Sequence, residues 1–220
     1  MHETFSGPED VLNRLMVRYP VLEPMRAQIE KAYRLIAARF EQGGKLLLCG
    51  NGGSAADALH IAGELMKSFT LARPMEQAVL ERIGQMFPAD AALLTQKLER
   101  ALPAVALVES PSLSTAVQND TAPALVFAQQ VYGLGTPKDA LLCISTSGNS
   151  ENCVYAAETA KAMGMAVISL TGAGGGRLAG VSDAAIAVPE MECYRVQELH
   201  LPVYHALCLM LEYRFFGADR

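Results

Sequence analysis

Three of the four histidines in this 220-residue chain fall in two segments with helical periodicity, each accompanied by carboxylates. His60 and Glu64 are four residues apart, so on a helix they project from one face, a turn from each other. That spacing suits two metal ligands, or a base and the group that orients it. It equally suits a packed histidine beside a Glu64–Lys67 surface pair. Asp57 lies one turn earlier on the same segment. Near the C-terminus Gln197, Glu198, His200 and His205 interrupt an otherwise apolar sequence. Gln197 and His205 would stand about 80° apart around a helix and roughly two turns along it. A carboxylate and an imidazole brought together are the equipment of general acid–base proton transfer.

Two small-residue turns supply a different chemistry. Gly50-Asn51-Gly52-Gly53-Ser54 and Ser145-Thr146-Ser147-Gly148-Asn149-Ser150 each follow an apolar run and open a helical one. Such a turn presents hydroxyls and unpaired N–H groups at a helix N-terminus, which is what a phosphate monoester needs. Helix capping is the plainer use of the same residues. Neither turn reads G-x-G-x-x-G, and the first lacks the lysine of a P-loop, so no nucleotide cofactor is expected.

The elements that must carry these residues follow from hydrophobic patterning. Met25, Ile29, Ala32, Leu35, Ile36 and Phe40 predict a helix over 22–42, ended by Gly43-Gly44, with a shorter helix ahead of Pro20. Together these form N-terminal helices over 8–42. The runs 45–49, 104–108, 140–144, 166–170 and 184–188 read as strands buried on both faces. Helices are predicted over 55–69, 151–163 and 195–215. Strands alternating with helices imply parallel pairing, hence one α/β domain, a three-layer α-β-α sandwich with a central parallel sheet. One stretch breaks the rhythm. Between Pro74 and Pro103, apolar residues at helical spacing on either side of Pro88 predict an inserted helical hairpin over 75–102, either an appendage packed on the domain or a lid. The last helix is apolar on nearly every face, which fits burial in an oligomer interface. Pro202 inside it should cost about 3 kcal/mol and kink it.

Composition narrows the function further. With 51% apolar residues the chain can sustain a core without staples. A net charge of −5 and the absence of Lys/Arg clusters leave no electrostatic footprint for nucleic acid. No basic-then-apolar leader and no bilayer-length apolar run are present, so neither secretion nor membrane insertion is expected. Five cysteines without a C-x-x-C pair point to a reducing, cytoplasmic setting.

The two small-residue turns and the run Arg195-Val-Gln-Glu-Leu-His200, in this order and spacing, resemble the sugar isomerase (SIS) domain family. The resemblance is closest to phosphoheptose isomerases, which convert sedoheptulose 7-phosphate to glycero-manno-heptose 7-phosphate, and it covers nearly the whole chain outside 75–102. It implies a flavodoxin-like SIS fold assembled as a homotetramer, with a phosphorylated sugar as substrate. It implies that Ser145, Thr146, Ser147 and Ser150 hold the phosphate, that Asn51, Gly52, Gly53, Ser54, Asn119, Asp120 and Gln197 also face the substrate, and that Glu64 and His205 are the acid–base pair. Members that bind zinc place it on residues matching His60, Glu64, Gln197 and His205. The insertion, Tyr194 and Glu109, where an Asp is usual, depart from the pattern. These departures bear on the exact sugar more than on the reaction type; the alternatives are another phosphosugar, or a phosphosugar-binding or protein-tethering role without catalysis, against which the retained Glu64 and His205 argue.

Overall fold

The computed structural model describes residues 4–217. Helix α1 (Pro8–Arg18) and a 3-10 turn (Pro20–Met25) lead into α2 (Arg26–Glu41), and then the alternating part begins: β1 (Leu46–Gly50), α3 (Gly53–Met66), the pair α4 (Gln77–Met86) and α5 (Ala91–Lys97), and β2 (Ala104–Ala106). After α6 (Pro111–Asp120) and α7 (Val126–Leu134) come β3 (Ala140–Ile144), α8 (Glu151–Ala162), β4 (Ala166–Thr171), α9 (Gly176–Val181), β5 (Ala184–Ala187) and the long α10 (Cys193–Phe216). The five strands form one all-parallel sheet in the order β2-β1-β3-β4-β5. That is the flavodoxin-like order, in which the chain reverses direction across the sheet between β1 and β3.

Side chains alternate across this sheet and build two cores. Leu46 and Leu48 of β1, with Leu142 and Ile144 of β3, face a layer made by α1, α2, α3 and α10, where Ile29, Ile36, Leu65, Val203 and Leu207 are buried. Leu47, Cys49, Leu141 and Cys143 face the other way, onto Phe127 and Val131 of α7 and Val154 and Ala157 of α8. Cys49 and Cys143 are register partners with sulfurs 3.5 Å apart, and all five cysteines are free thiols. Among the described residues no helix is long and apolar enough to cross a membrane.

Several expectations need correction. The helix predicted from residue 22 begins at Arg26, because Pro20 and Pro24 hold the preceding residues in a 3-10 turn. The strand predicted over 104–108 shortens to three residues at the sheet edge, where only β1 pairs with it. Helices α6 and α7 went unassigned in the sequence. The hairpin forms, but α4 and α5 bury no side chain, and Met86, Phe87 and Leu93 are more than half exposed. It is therefore not an appendage packed against the domain. Finally, α10 continues through Pro202. The carbonyl deprived of its donor there belongs to Glu198, an exposed residue, where water can replace the bond.

Candidate active site

Helices α3 and α10 lie side by side and run in step, which brings the two chemistry-bearing segments together. At their starts a side chain on Gly53 would strike the Gln197 amide, so this glycine is what lets Gln197 lie on the turn. Two turns on, His60 meets Tyr204 and His205. At the end of α3, Glu212 receives the backbone N–H groups of Phe69 and Thr70, both at 2.8 Å.

The middle level holds the ionisable cluster. His60 Nε2 is 3.2 Å from Glu64 Oε1 and 3.4 Å from His205 Nε2. The other imidazole nitrogen, Nδ1, is 3.1 Å from the Tyr204 hydroxyl. Burial, then the charge and hydrogen bond of Asp57, push that hydroxyl above the usual phenol range. Burial likewise raises the Asp57 carboxyl, against the opposing hydrogen bond from Tyr204. His205 is held below the ordinary histidine value by burial first and by neighbouring His60 second, while Glu64 opposes the shift. It is therefore neutral at pH 7 and able either to accept or to donate a proton. Glu64 is mostly covered, and its Oε2 has no hydrogen-bond partner, with Lys67 Nζ 3.6 Å away. The surface pair with Lys67 is present, then, but it does not displace Glu64 from the histidines.

The donor spacing bears on metal binding. Ligands about 2.0–2.1 Å from a tetrahedral zinc sit roughly 3.3–3.4 Å from one another, close to the separations around His60 Nε2. Among the described residues, no group of three or more His, Cys, Asp or Glu side chains is arranged to hold a metal ion. Gln197 does not complete the set within one chain. Its amide rests on Gly53, about 12 Å along α10 from His205.

The second small-residue turn sits at the C-terminal end of β3, ahead of α8. Ser145 Oγ and Ser150 Oγ are 2.9 Å apart, closing the turn on itself. Gly148 adopts a φ of +66°, and any side chain there would strike the backbone of Gly175, so the β4–α9 loop can press against it. Ser145 is buried, Thr146 and Ser150 are half-buried, and Ser147 is exposed. Thr146 Oγ1 is 3.5 Å from the thiol of Cys193, the first residue of α10. Asn51 is exposed and exchanges two amide hydrogen bonds of 2.9 Å with Asn152, which ties the first turn to the start of α8. Ser54 is buried at the start of α3. Asn119 and Asp120 end α6, exposed and bonded to each other at 2.7 Å, with no contact to the histidine cluster.

Asp57, Tyr204, Arg73 and Glu212 complete the surroundings, and only Asp57 stood out in the sequence. Tyr204 interrupts the apolar run beside His205, and nothing in the sequence around Arg73 or Glu212 sets either apart.

Comparison with known proteins agrees with this architecture. The chain matches the SIS domain over residues 17–101 and again over 85–172. A phosphoheptose isomerase of Akkermansia muciniphila is 37% identical over 199 residues, 90% of this chain and 92% of that protein. One from Nitratiruptor sp. is 40% identical over 195 residues, covering 89% and 90%. The structure of phosphoheptose isomerase from Neisseria gonorrhoeae superposes with a TM-score of 0.68 at 32% identity, covering 93% of this chain and 91% of that one. The chain belongs to the SIS-domain family, and these relatives within it are phosphoheptose isomerases.

Proposed function

We propose that this protein isomerises sedoheptulose 7-phosphate to D-glycero-D-manno-heptose 7-phosphate through an enediolate. The observation that carries the reading is the meeting of Glu64 and His205, from separate helices, at His60. The Ser145–Ser150 turn holds the phosphate with hydroxyls and N–H groups at the start of α8, aided by the positive end of that helix. Glu64 removes a proton from C1 of the open-chain ketose and returns it to C2. His205, neutral at working pH, takes the proton from the O1 hydroxyl and delivers one to O2. One carbon-bound and one oxygen-bound proton change places, so the reaction balances without an oxidant or reductant.

His60, Glu64 and His205 are also the residues that would hold a zinc ion. When bound, zinc supplies Lewis-acid stabilisation to the enediolate oxygens. A fourth ligand from Gln197 requires a second copy of the chain, because Gln197 of the same chain lies on Gly53. The proposal also includes assembly as a homotetramer in the cytoplasm, with the sites completed between subunits.

In heavy water, purified protein given sedoheptulose 7-phosphate should place deuterium at C2 of the aldose and C1 of the recovered ketose. Glu64→Gln should slow turnover about 10²- to 10⁴-fold. Wild-type protein that yields neither product nor exchange would sink the assignment for this sugar. Elemental analysis of protein purified without chelator tests for zinc.

A further inference from the structure

The most deeply buried charged pair among the described residues lies outside the groups proposed to meet the substrate. Arg73 and Glu212 are both completely shut off from solvent, 2.9 Å apart. Burying two charges costs several kcal/mol per ion, and an apolar pair of similar volume would often be more stable in their place. What an apolar pair cannot do is serve the backbone around them. Arg73 Nη1 donates to the carbonyl of Leu65 at 2.7 Å, and Nη2 donates to the carbonyl of Glu64 at 3.0 Å. These carbonyls lie in the last turn of α3, where a helix leaves acceptors without donors. Glu212 stands two turns beyond His205 on α10. It accepts from the backbone N–H groups of Phe69 and Thr70 and from the Thr70 hydroxyl, each at 2.8 Å. The Phe69 ring in turn lies 5.7 Å from the His205 ring.

We propose that Arg73 and Glu212 are positioning residues for the proton transfer: the buried pair fastens the end of the helix that carries Glu64 to the helix that carries His205, and so sets their separation. This rests on the reading of Glu64 and His205 as the proton-transfer groups. Arg73 grips the backbone of Glu64 itself, and Glu212 fixes the residue packed against His205. The phosphate turn lies near the opposite end of α10 and is untouched by the pair.

The experiment compares stability and kinetics with sedoheptulose 7-phosphate for Arg73→Lys and for the double variant Arg73→Met/Glu212→Gln. The double variant removes both charges and leaves an acceptor at position 212 for the Phe69 or Thr70 N–H. It should remain folded, since no buried charge is left alone, whereas Arg73→Met by itself strands Glu212 and may not be used as the deciding case. In the double variant kcat should fall about 10- to 100-fold, because displacement of a reacting group by an ångström carries losses of that order. KM should stay within about twofold, because binding is left intact. Arg73→Lys, which keeps a charge and fewer donors, should recover part of kcat. A folded double variant with wild-type kcat overturns the proposal, as does a loss that only follows the fraction of unfolded protein. A wild-type chain inactive on this and other ketose and aldose phosphates sinks the isomerase reading and the proposal with it. An active wild type with indifferent folded variants sinks the proposal alone.

Discussion

Two imidazoles five residues apart on α10 have opposite fates, decided by what their nitrogens meet. His205 faces His60 across 3.4 Å beside a carboxylate and lines the groove between α1 and α10. His200 is fully buried against the Thr171 backbone, and neither of its nitrogens finds a full hydrogen bond. Burial lowers it from its ordinary 6.5 to about 4. The unfolded chain therefore binds the extra proton first as pH falls. The stability that follows from a neutral His200 is complete above about pH 6.5 and is lost on the way down to pH 4, about 3 kcal/mol across that window. Urea midpoints measured at pH 7 and pH 4.5 should fall further for wild type than for His200→Leu. Equal falls would remove His200 as a cause.

The inserted hairpin and the α3–α10 pair show how apolar residues in helices come to different ends. α4 carries an apolar stripe on one face and buries none of its side chains, while α10, apolar on nearly every face, buries most of its length. The difference lies in attachment. The hairpin leaves and rejoins the domain at adjacent points, where Glu76 pairs with Arg100 at 3.0 Å and the Arg100 N–H reaches the Arg73 carbonyl. Replacing residues 77–97 with a short Gly/Ser linker should shift the thermal midpoint by less than about 4 °C, the equivalent of about 1 kcal/mol in a chain of this size. A larger drop in a melting curve would show that the hairpin supports the fold. Turnover of several ketose and aldose phosphates by the same variant would reveal whether the hairpin selects the sugar.

At the scale of the whole molecule, the parallel sheet places both small-residue turns at the C-terminal ends of neighbouring strands β1 and β3, where the strand order reverses. A groove of about 590 Å³ runs between α1 and α10, lined by Leu15, Tyr19, Phe69, Leu201 and Leu209 and opening beside His205. The proposed homotetramer predicts a sedimentation-equilibrium mass of about four times the 23.6 kDa of one chain. A monomer at micromolar concentration would contradict the shared-site part of the proposal.

The sequence by itself determined most of the frame. Continuous apolar runs at 45–49 and 140–144, each leading into a small-residue turn, read as strands covered on both faces, and the structure places them at 46–50 and 140–144; glycines where the backbone must pack closely, such as Gly53 and Gly148, marked both turns. It also singled out His60, Glu64 and His205, because polar residues interrupting apolar helices need a reason to be there. Three things depended on the tertiary structure. That α3 and α10 run in step, so that Glu64 and His205 share His60 while Gln197 stays with Gly53, is a matter of helix packing that spacing along one helix cannot encode. That Arg73 and Glu212 are buried together follows from the meeting of two distant segments, which local sequence does not encode. That the hairpin stands free was equally out of reach, because periodicity reports which face of a helix is apolar and says nothing about whether anything covers it.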